Sequence, residues 1–184
     1  VSKYKLLYVD PPWSFTNKRT GGRMKSGADA QYNTMSIEEM KQWDIPAICD
    51  DDCILIMWWV GSQPQEAIDL CKAWGFTLKN MNGFVWRKLT KTRKPFFGLG
   101  FWTRAGSESA IIAVRGKPKP ASRSVRAVHS SVVGKHSQKP DKFRKLAVEL
   151  AGDVPRLEMF SRGEWEGWDV FGNECKGSIE IPFK

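Results

Sequence analysis

The chain is poor in the residues that build metal sites and disulfide frameworks. Among its 184 residues are four cysteines and two histidines. Cys49, Cys53, Cys71 and Cys175 form no Cys-x-x-Cys pair, and only His129 and His136 stand beside them as nitrogen ligands, so a zinc module is excluded and no metal is expected. The thiols are expected to be reduced. The longest apolar run, Ile54 to Val60, falls far short of the ~20 residues that cross a bilayer. Val1 to Lys5 lacks the form of a signal peptide, and the expected compartment is cytoplasmic. No repeat or internal domain boundary is visible, which predicts a single domain over 1–184. Acidic residues are outnumbered, 20 against 29 Lys and Arg, for a net charge of +9. That balance suits a polyanionic partner without requiring one. A content of 41% hydrophobic and 27% charged residues is ordinary for a globular protein.

The sequence is organised around Asp10-Pro11-Pro12-Trp13, directly after the apolar stretch Leu6-Leu7-Tyr8-Val9. That stretch reads as a buried parallel strand, closed by prolines that stop helical continuation. The motif is thereby placed at a strand's carboxyl end, where open α/β sheets bind ligands. Two prolines remove two backbone donors and leave carbonyls beside the Asp10 carboxylate, an acceptor-only clamp suited to an exocyclic amine such as adenine N6. Trp13 offers a flat face for the base. Read without this chemistry, the same residues are a strand and a polyproline turn, with Asp10 capping an amide and Trp13 filling the core.

Residues Ser14 to Gln31 carry Lys, Arg, Gly and Ser without periodicity and read as a long loop at the strand end. Ser36 and Glu39 have capping-box spacing for a helix through Trp43, which Ile45-Pro46 is expected to end. Cys53 to Val60 reads as a central strand, Pro64 to Trp74 as a helix stopped by Gly75, and Phe76 to Trp86 as a strand. Trp74 is expected in the core. Arg87 to Arg104 is a second basic loop, interleaving Phe96, Phe97, Phe101 and Trp102 with cations. A strand over Ser109 to Val114, a short one over Val128 to Val133, a helix from Pro140 to Gly152 and a strand over Arg156 to Phe160 complete the pattern. Alternating strands and helices predict an α/β fold with a mostly parallel sheet.

The ordered series Asp10-Pro11-Pro12-Trp13, Tyr32-Asn33-Thr34-Met35, Trp74-Gly75-Phe76, Ala113 to Pro118, His136-Ser137-Gln138-Lys139-Pro140, Glu158 to Arg162, Gly167-Trp168-Asp169 and Gly172-Asn173-Glu174 resembles the MT-A70 family of S-adenosylmethionine-dependent adenine N6 methyltransferases. The resemblance covers almost the whole chain. It implies a Rossmann-like methyltransferase with permuted motif order, catalytic motif first and cofactor strand last. Carried over by position, it implies Asp10, Pro11, Pro12 and Trp13 as catalytic residues, Lys139 near the cofactor carboxylate, Arg162 near its ribose, and Asn173 and Glu174 at its sugar and adenine. Glu158 is expected either to accept from ribose hydroxyls or to pair with Arg162, and Phe160 is a secondary cofactor contact. Glu174 replaces an amide side chain and can accept but not donate. The family's acidic cofactor contact upstream of the first strand has no counterpart in these residues.

The expected function is methyl transfer from S-adenosylmethionine to adenine N6 in nucleic acid, with DNA favoured over RNA because a compact catalytic domain resembles small prokaryotic and viral modification enzymes. Tyr32 is expected to receive the base beside Trp13. Lys18, Arg19, Arg23 and Lys25 in the first loop, with Lys88, Lys91, Arg93, Lys94 and Arg104 in the second, are expected to contact the polymer. Solvated loop charge is the plainer reading of these cations. The competing functions are a catalytically silent nucleic-acid-binding subunit and methylation of a protein side-chain amide.

Overall fold

The computed structural model describes residues 3–13, 35–135 and 138–184. Strand β1 (Tyr4–Val9) runs through the middle of a seven-stranded sheet, with β2 (Cys49–Trp59) on one side and β6 (Arg156–Met159) on the other, both parallel to it. Strands β3 (Thr77–Leu89), β4 (Ser107–Arg115) and β5 (Val128–Val132) extend the β2 side, and β7 (Asp169–Phe171) extends the β6 side, in the order β5-β3-β4-β2-β1-β6-β7. Among the described strands β4 alone is antiparallel to its neighbours, so β3 points the same way as β1. The mostly parallel α/β sheet is as expected.

Two burying faces explain the continuous apolar runs, since a strand covered on both sides has no polar positions to alternate with. Leu7, Val9, Leu55 and Met57 pack towards helices α1 (Ile37–Lys41) and α3 (Pro64–Ala73), with Met40, Trp43, Leu70, Cys71 and Trp74. Leu6, Tyr8, Ile54, Ile56 and Trp58 face helix α4 (Asp141–Ala151) through Phe143 and Ala147. Trp74 is fully buried and donates its indole N–H to the Met40 carbonyl at 2.8 Å. Burial lifts the Cys71 thiol to about 12, which makes it an inert core residue.

Helix starts follow their sequence signals. Ser36 and Glu39 form the reciprocal capping box, and Pro64 occupies the first turn of α3, where a missing N–H is harmless. Ile45-Pro46 behaves otherwise than expected: it opens a short helix, α2 (Ile45–Ile48), whose Ala47 amide is accepted by Asp44 at 3.3 Å. Proline is tolerated there because first-turn amides have no intrahelical acceptor. Strand β2 begins at Cys49, ahead of its apolar run, and β7 was not foreseen because three residues give no periodicity to read. No helix among the described residues is long and apolar enough to cross a membrane.

After β1 the chain builds the β2 side of the sheet and only later the β6 side, so the order reverses at β1 and β6. A crevice outside the carboxyl ends of these two strands is the place such a reversal makes for a ligand. Asp10 leaves β1 at that edge.

Candidate active site

The Asp10 amide donates to the Met159 carbonyl at 3.4 Å, tying the motif to β6 as well as β1. Pro11, Pro12 and Trp13 are buried, while the Asp10 side chain keeps 24% of its surface exposed. The Trp13 amide donates to the Pro11 carbonyl at 2.9 Å, a tight turn that leaves this carbonyl one further lone pair. Trp13 departs from its expected part. Its ring lies in the core at 4% exposure and its indole N–H donates to the Trp58 carbonyl at 3.0 Å, so it clamps the turn onto β2 and offers no open face to a base.

Beside Asp10 runs a chain of alternating charges. Lys139 Nζ lies 3.1 Å from Asp10 Oδ2 and 3.2 Å from Glu108 Oε1, and Glu108 Oε2 lies 2.9 Å from Lys88 Nζ. Two carboxylates and two ammonium groups thus sum to zero in a half-buried site, the condition under which buried charges persist. Desolvation by burial raises Asp10 above the ordinary carboxylate range although Lys139 pulls it down. For Glu108 desolvation also pushes upward, but Lys139 and Lys88 outweigh it and hold the group below its usual value. Desolvation works against the Lys139 charge, and its two acids more than offset that, so it stays an ammonium. Lys88 was expected on the polymer; it turns inward instead, because Glu108 draws it and the Trp86 and Phe96 rings cover it. Lys139 precedes α4 as expected, yet its charge is engaged by Asp10 and Glu108.

Glu158 on β6 is buried and pairs with Arg144 of α4, at 2.6 and 3.3 Å, rather than with Arg162. Arg144 also bonds Asp141, and its guanidinium lies 3.7 Å above the Trp165 ring. Desolvation raises the Glu158 carboxyl, opposed by Arg144. Tyr8, Asp10, Gln138, Lys139, Arg144, Glu158, Phe160 and Arg162 line one shallow cleft at the strand ends. Phe160 reaches it by leaving β6 with a φ of 61°, its ring stacked 5.5 Å from Trp43. A Cβ on Gly172 would fall 2.3 Å from the Ser161 carbonyl oxygen, so only glycine lets the chain after β7 lie against the chain after β6. Asn173 and Glu174 are exposed directly beyond this contact. Donors at Lys139, Arg162 and Gln138 and acceptors at Asp10 and Glu158 suit an amino-acid zwitterion and a ribose diol, so the residues present fit S-adenosylmethionine.

Lys91, Arg93, Lys94 and Arg104 are exposed on the loop between β3 and β4, with Arg104 5.2 Å from the Phe97 ring. Tyr32, Lys18, Arg19, Arg23 and Lys25, like His136 and Ser137, lie outside the described residues. Sequence reasoning missed Glu108, Arg144, Tyr8 and Gln138 as members of the site. A faint signal existed for two of them: Glu108 is an acid heading an apolar strand, and Arg144 is a cation between the apolar positions Phe143 and Ala147.

An open α/β sheet whose order reverses beside a half-buried acid and an amine-receptive carbonyl is consistent with a Rossmann-like methyltransferase fold. The chain belongs to the MT-A70 family, which it matches over residues 4–174. It is 33% identical to the type II methyltransferase M.MunI of Mycoplasma sp., over 98% of this chain and 82% of that protein. It is 22% identical to the human N(6)-adenosine-methyltransferase catalytic subunit METTL3 and 24% identical to the human N(6)-adenine-specific methyltransferase METTL4. These cover 96% and 93% of this chain, which spans only 29% and 37% of the two human proteins.

Proposed function

We propose that the chain methylates the N6 amine of adenine within nucleic acid, DNA in preference to RNA, using S-adenosylmethionine. The observation that carries this reading is Asp10, held at the carboxyl end of β1 by β6 on one side and Lys139 on the other. Bound in the cleft, the cofactor supplies an electrophilic methyl group. Asp10 accepts one amine hydrogen and the remaining lone pair of the Pro11 carbonyl accepts the other, which turns the nitrogen lone pair away from both. Because adenine's amine is flat in the ground state and pyramidal at transfer, acceptors fixed off its plane favour the transition state over the substrate. Lys139 favours the Asp10 carboxylate against the burial that raises it. Arg162, Glu158, Phe160, Asn173 and Glu174 are assigned to the cofactor, with Glu158 presented by Arg144.

Adenine N6 lies inside the duplex stack, so the base must be flipped or taken from a single strand. The preference for DNA leans on the type II methyltransferase, matched over 82% of its length. RNA is the second reading, since the human METTL3 relative is an N(6)-adenosine-methyltransferase. Mass spectrometry of DNA and RNA oligonucleotides after incubation with labelled cofactor tests both the polymer and the residue. Wild type is expected to label DNA more than RNA, and Asp10→Ala to bind cofactor but lose turnover. Retention of activity within about tenfold, a loss of only about 1.4 kcal/mol, removes Asp10 from the clamp. Label confined to RNA overturns the choice of DNA.

A further inference from the structure

We propose that the loop between β3 and β4 is a base-stacking site, in which Phe97, Phe101 and Trp102 take unstacked bases of a single-stranded or locally opened nucleic acid next to the target adenine. The inference rests on the nucleic-acid reading above and adds to it a non-electrostatic contact. Trp102 is fully exposed, Phe97 is 77% exposed and Phe101 56%, an apolar surface that a solvated loop has no reason to carry. The loop is also built rather than loose. The Phe96 amide donates to the Lys88 carbonyl at 3.1 Å, Gly98 and Ala105 exchange both their backbone bonds at 2.8 and 3.1 Å, and the Thr103 amide donates to Phe101 at 2.7 Å. A Cβ on Gly100 would fall 2.4 Å from the Thr103 carbonyl oxygen, so the tip is closed tightly on itself. Trp102 adopts a φ of 64°, an unfavourable region for a bulky residue, and no burial of its ring compensates.

Charge selects the occupant. From Arg87 to Ser107 the chain contains six Lys and Arg residues and no Asp or Glu. Lys88 turns inward, leaving Arg87, Lys91, Arg93, Lys94 and Arg104 exposed, with Arg104 5.2 Å from the Phe97 ring. A second copy docked face to face would set these cations against their own kind, whereas a nucleic acid offers phosphates to the cations and π faces to the rings. Position agrees as well. Strand β3 is parallel to β1, so the loop leaves the same edge of the sheet as Asp10, and its stem residue Lys88 reaches Asp10 through Glu108 and Lys139.

The test uses adenine-containing single strands with 2-aminopurine beside the target, titrated across a salt series into wild type and three sets of variants. Removing Phe97, Phe101 and Trp102 together to Ala is expected to weaken single-strand binding at least roughly fivefold at every salt concentration. The slope of log affinity against log salt should stay as in wild type, because no phosphate contact is lost, and the 2-aminopurine quench should disappear. Trp102→Phe should keep more of the quench than Trp102→Leu, which is apolar but has no π face. Lys91, Arg93 and Lys94 changed to Gln should flatten the salt slope and leave the quench at saturation intact. A triple-Ala variant that binds and quenches like wild type overturns the stacking site while leaving methylation standing. Wild type that neither binds nor methylates any oligonucleotide overturns the nucleic-acid reading and this proposal together. A wild-type dimer in sedimentation that the triple variant dissociates, with oligonucleotide affinity unchanged, shows a second copy on the loop and overturns it too.

Discussion

Lys139→Met and Glu108→Gln should move the acid limb of the methylation pH profile in opposite directions. Asp10 accepts amine hydrogens best as a carboxylate, because protonation turns one oxygen into a donor and leaves a weaker neutral acceptor, so turnover in the proposed clamp falls as pH drops through its pKa. An ammonium 3.1 Å from a carboxylate interacts by about 5 kcal/mol at an effective dielectric of about 20, before either ion's desolvation is counted. Opposite charges at such range lower carboxyl pKa values in proteins by about 1 to 3 units. Lys139→Met removes that pull, leaving burial and Glu108 to push Asp10 upward, and the limb should rise. Glu108→Gln removes a like charge that raises Asp10 and leaves Lys139 to it alone, so the limb should fall. The measurement is kcat against pH at saturating cofactor and oligonucleotide. The position of the limb is then separated from any loss of binding, because Lys139 also faces the cofactor cleft. A limb that stays in place in Lys139→Met, or that moves the same way in both variants, refutes the idea that this charge chain sets Asp10's ionisation.

Two further outcomes follow from the packing around the cleft. Arg144→Ala leaves the Glu158 carboxylate buried without its bidentate partner and should cost about 3 to 5 kcal/mol in urea unfolding, with most of that recovered when Glu158→Gln is added; equal stability of both single and double variants would show that the pair is not coupled. Gly172→Ala forces a Cβ to 2.3 Å from the Ser161 carbonyl oxygen, so the chain carrying Asn173 and Glu174 must shift at a cost of about 1 to 3 kcal/mol. S-adenosylmethionine affinity measured by calorimetry should fall with it, and an unchanged dissociation constant would separate these residues from the cofactor.

The strands and helices were legible because local signals and tertiary demands agree. Apolar runs at Leu6 to Val9 and Ile54 to Val60 mark strands covered on both faces, and Ser36 with Glu39 marks a helix start. Legibility failed where the deciding contact is distant or the element too short. Pro46 reads equally as an end or a beginning, and only the Asp44 side chain on the Ala47 amide decides it. The Asp10 motif was found because its residues are contiguous. Its electrostatic partners were not, since Asp10 and Lys139 are 129 residues apart and no local pattern joins them to Glu108. Trp13 was misjudged for a related reason: a tryptophan after a strand serves as well as a plug as it does as a platform, and the Trp58 carbonyl that fixes the choice sits on another strand.

Glu108 makes sense of an arrangement that Asp10 and Lys139 alone would not explain. A carboxyl buried at the crevice without a cation would hold its proton more firmly, turning one oxygen into a donor and leaving only a weaker neutral acceptor for an amine. Paired with a lysine of its own, it would ionise, but the full ammonium charge would then compete with the incoming amine for the same oxygens. Sharing Lys139 with a second acid weakens that competition, and Lys88 on the far side of Glu108 keeps the set neutral. The lysine approaches Asp10 through Oδ2, and a carboxylate offers about four lone-pair directions in all, so acceptor capacity remains for the base. Lys139 therefore offsets part of the burial that raises Asp10 without occupying all of its acceptor sites, which is what the proposed amine-binding clamp requires.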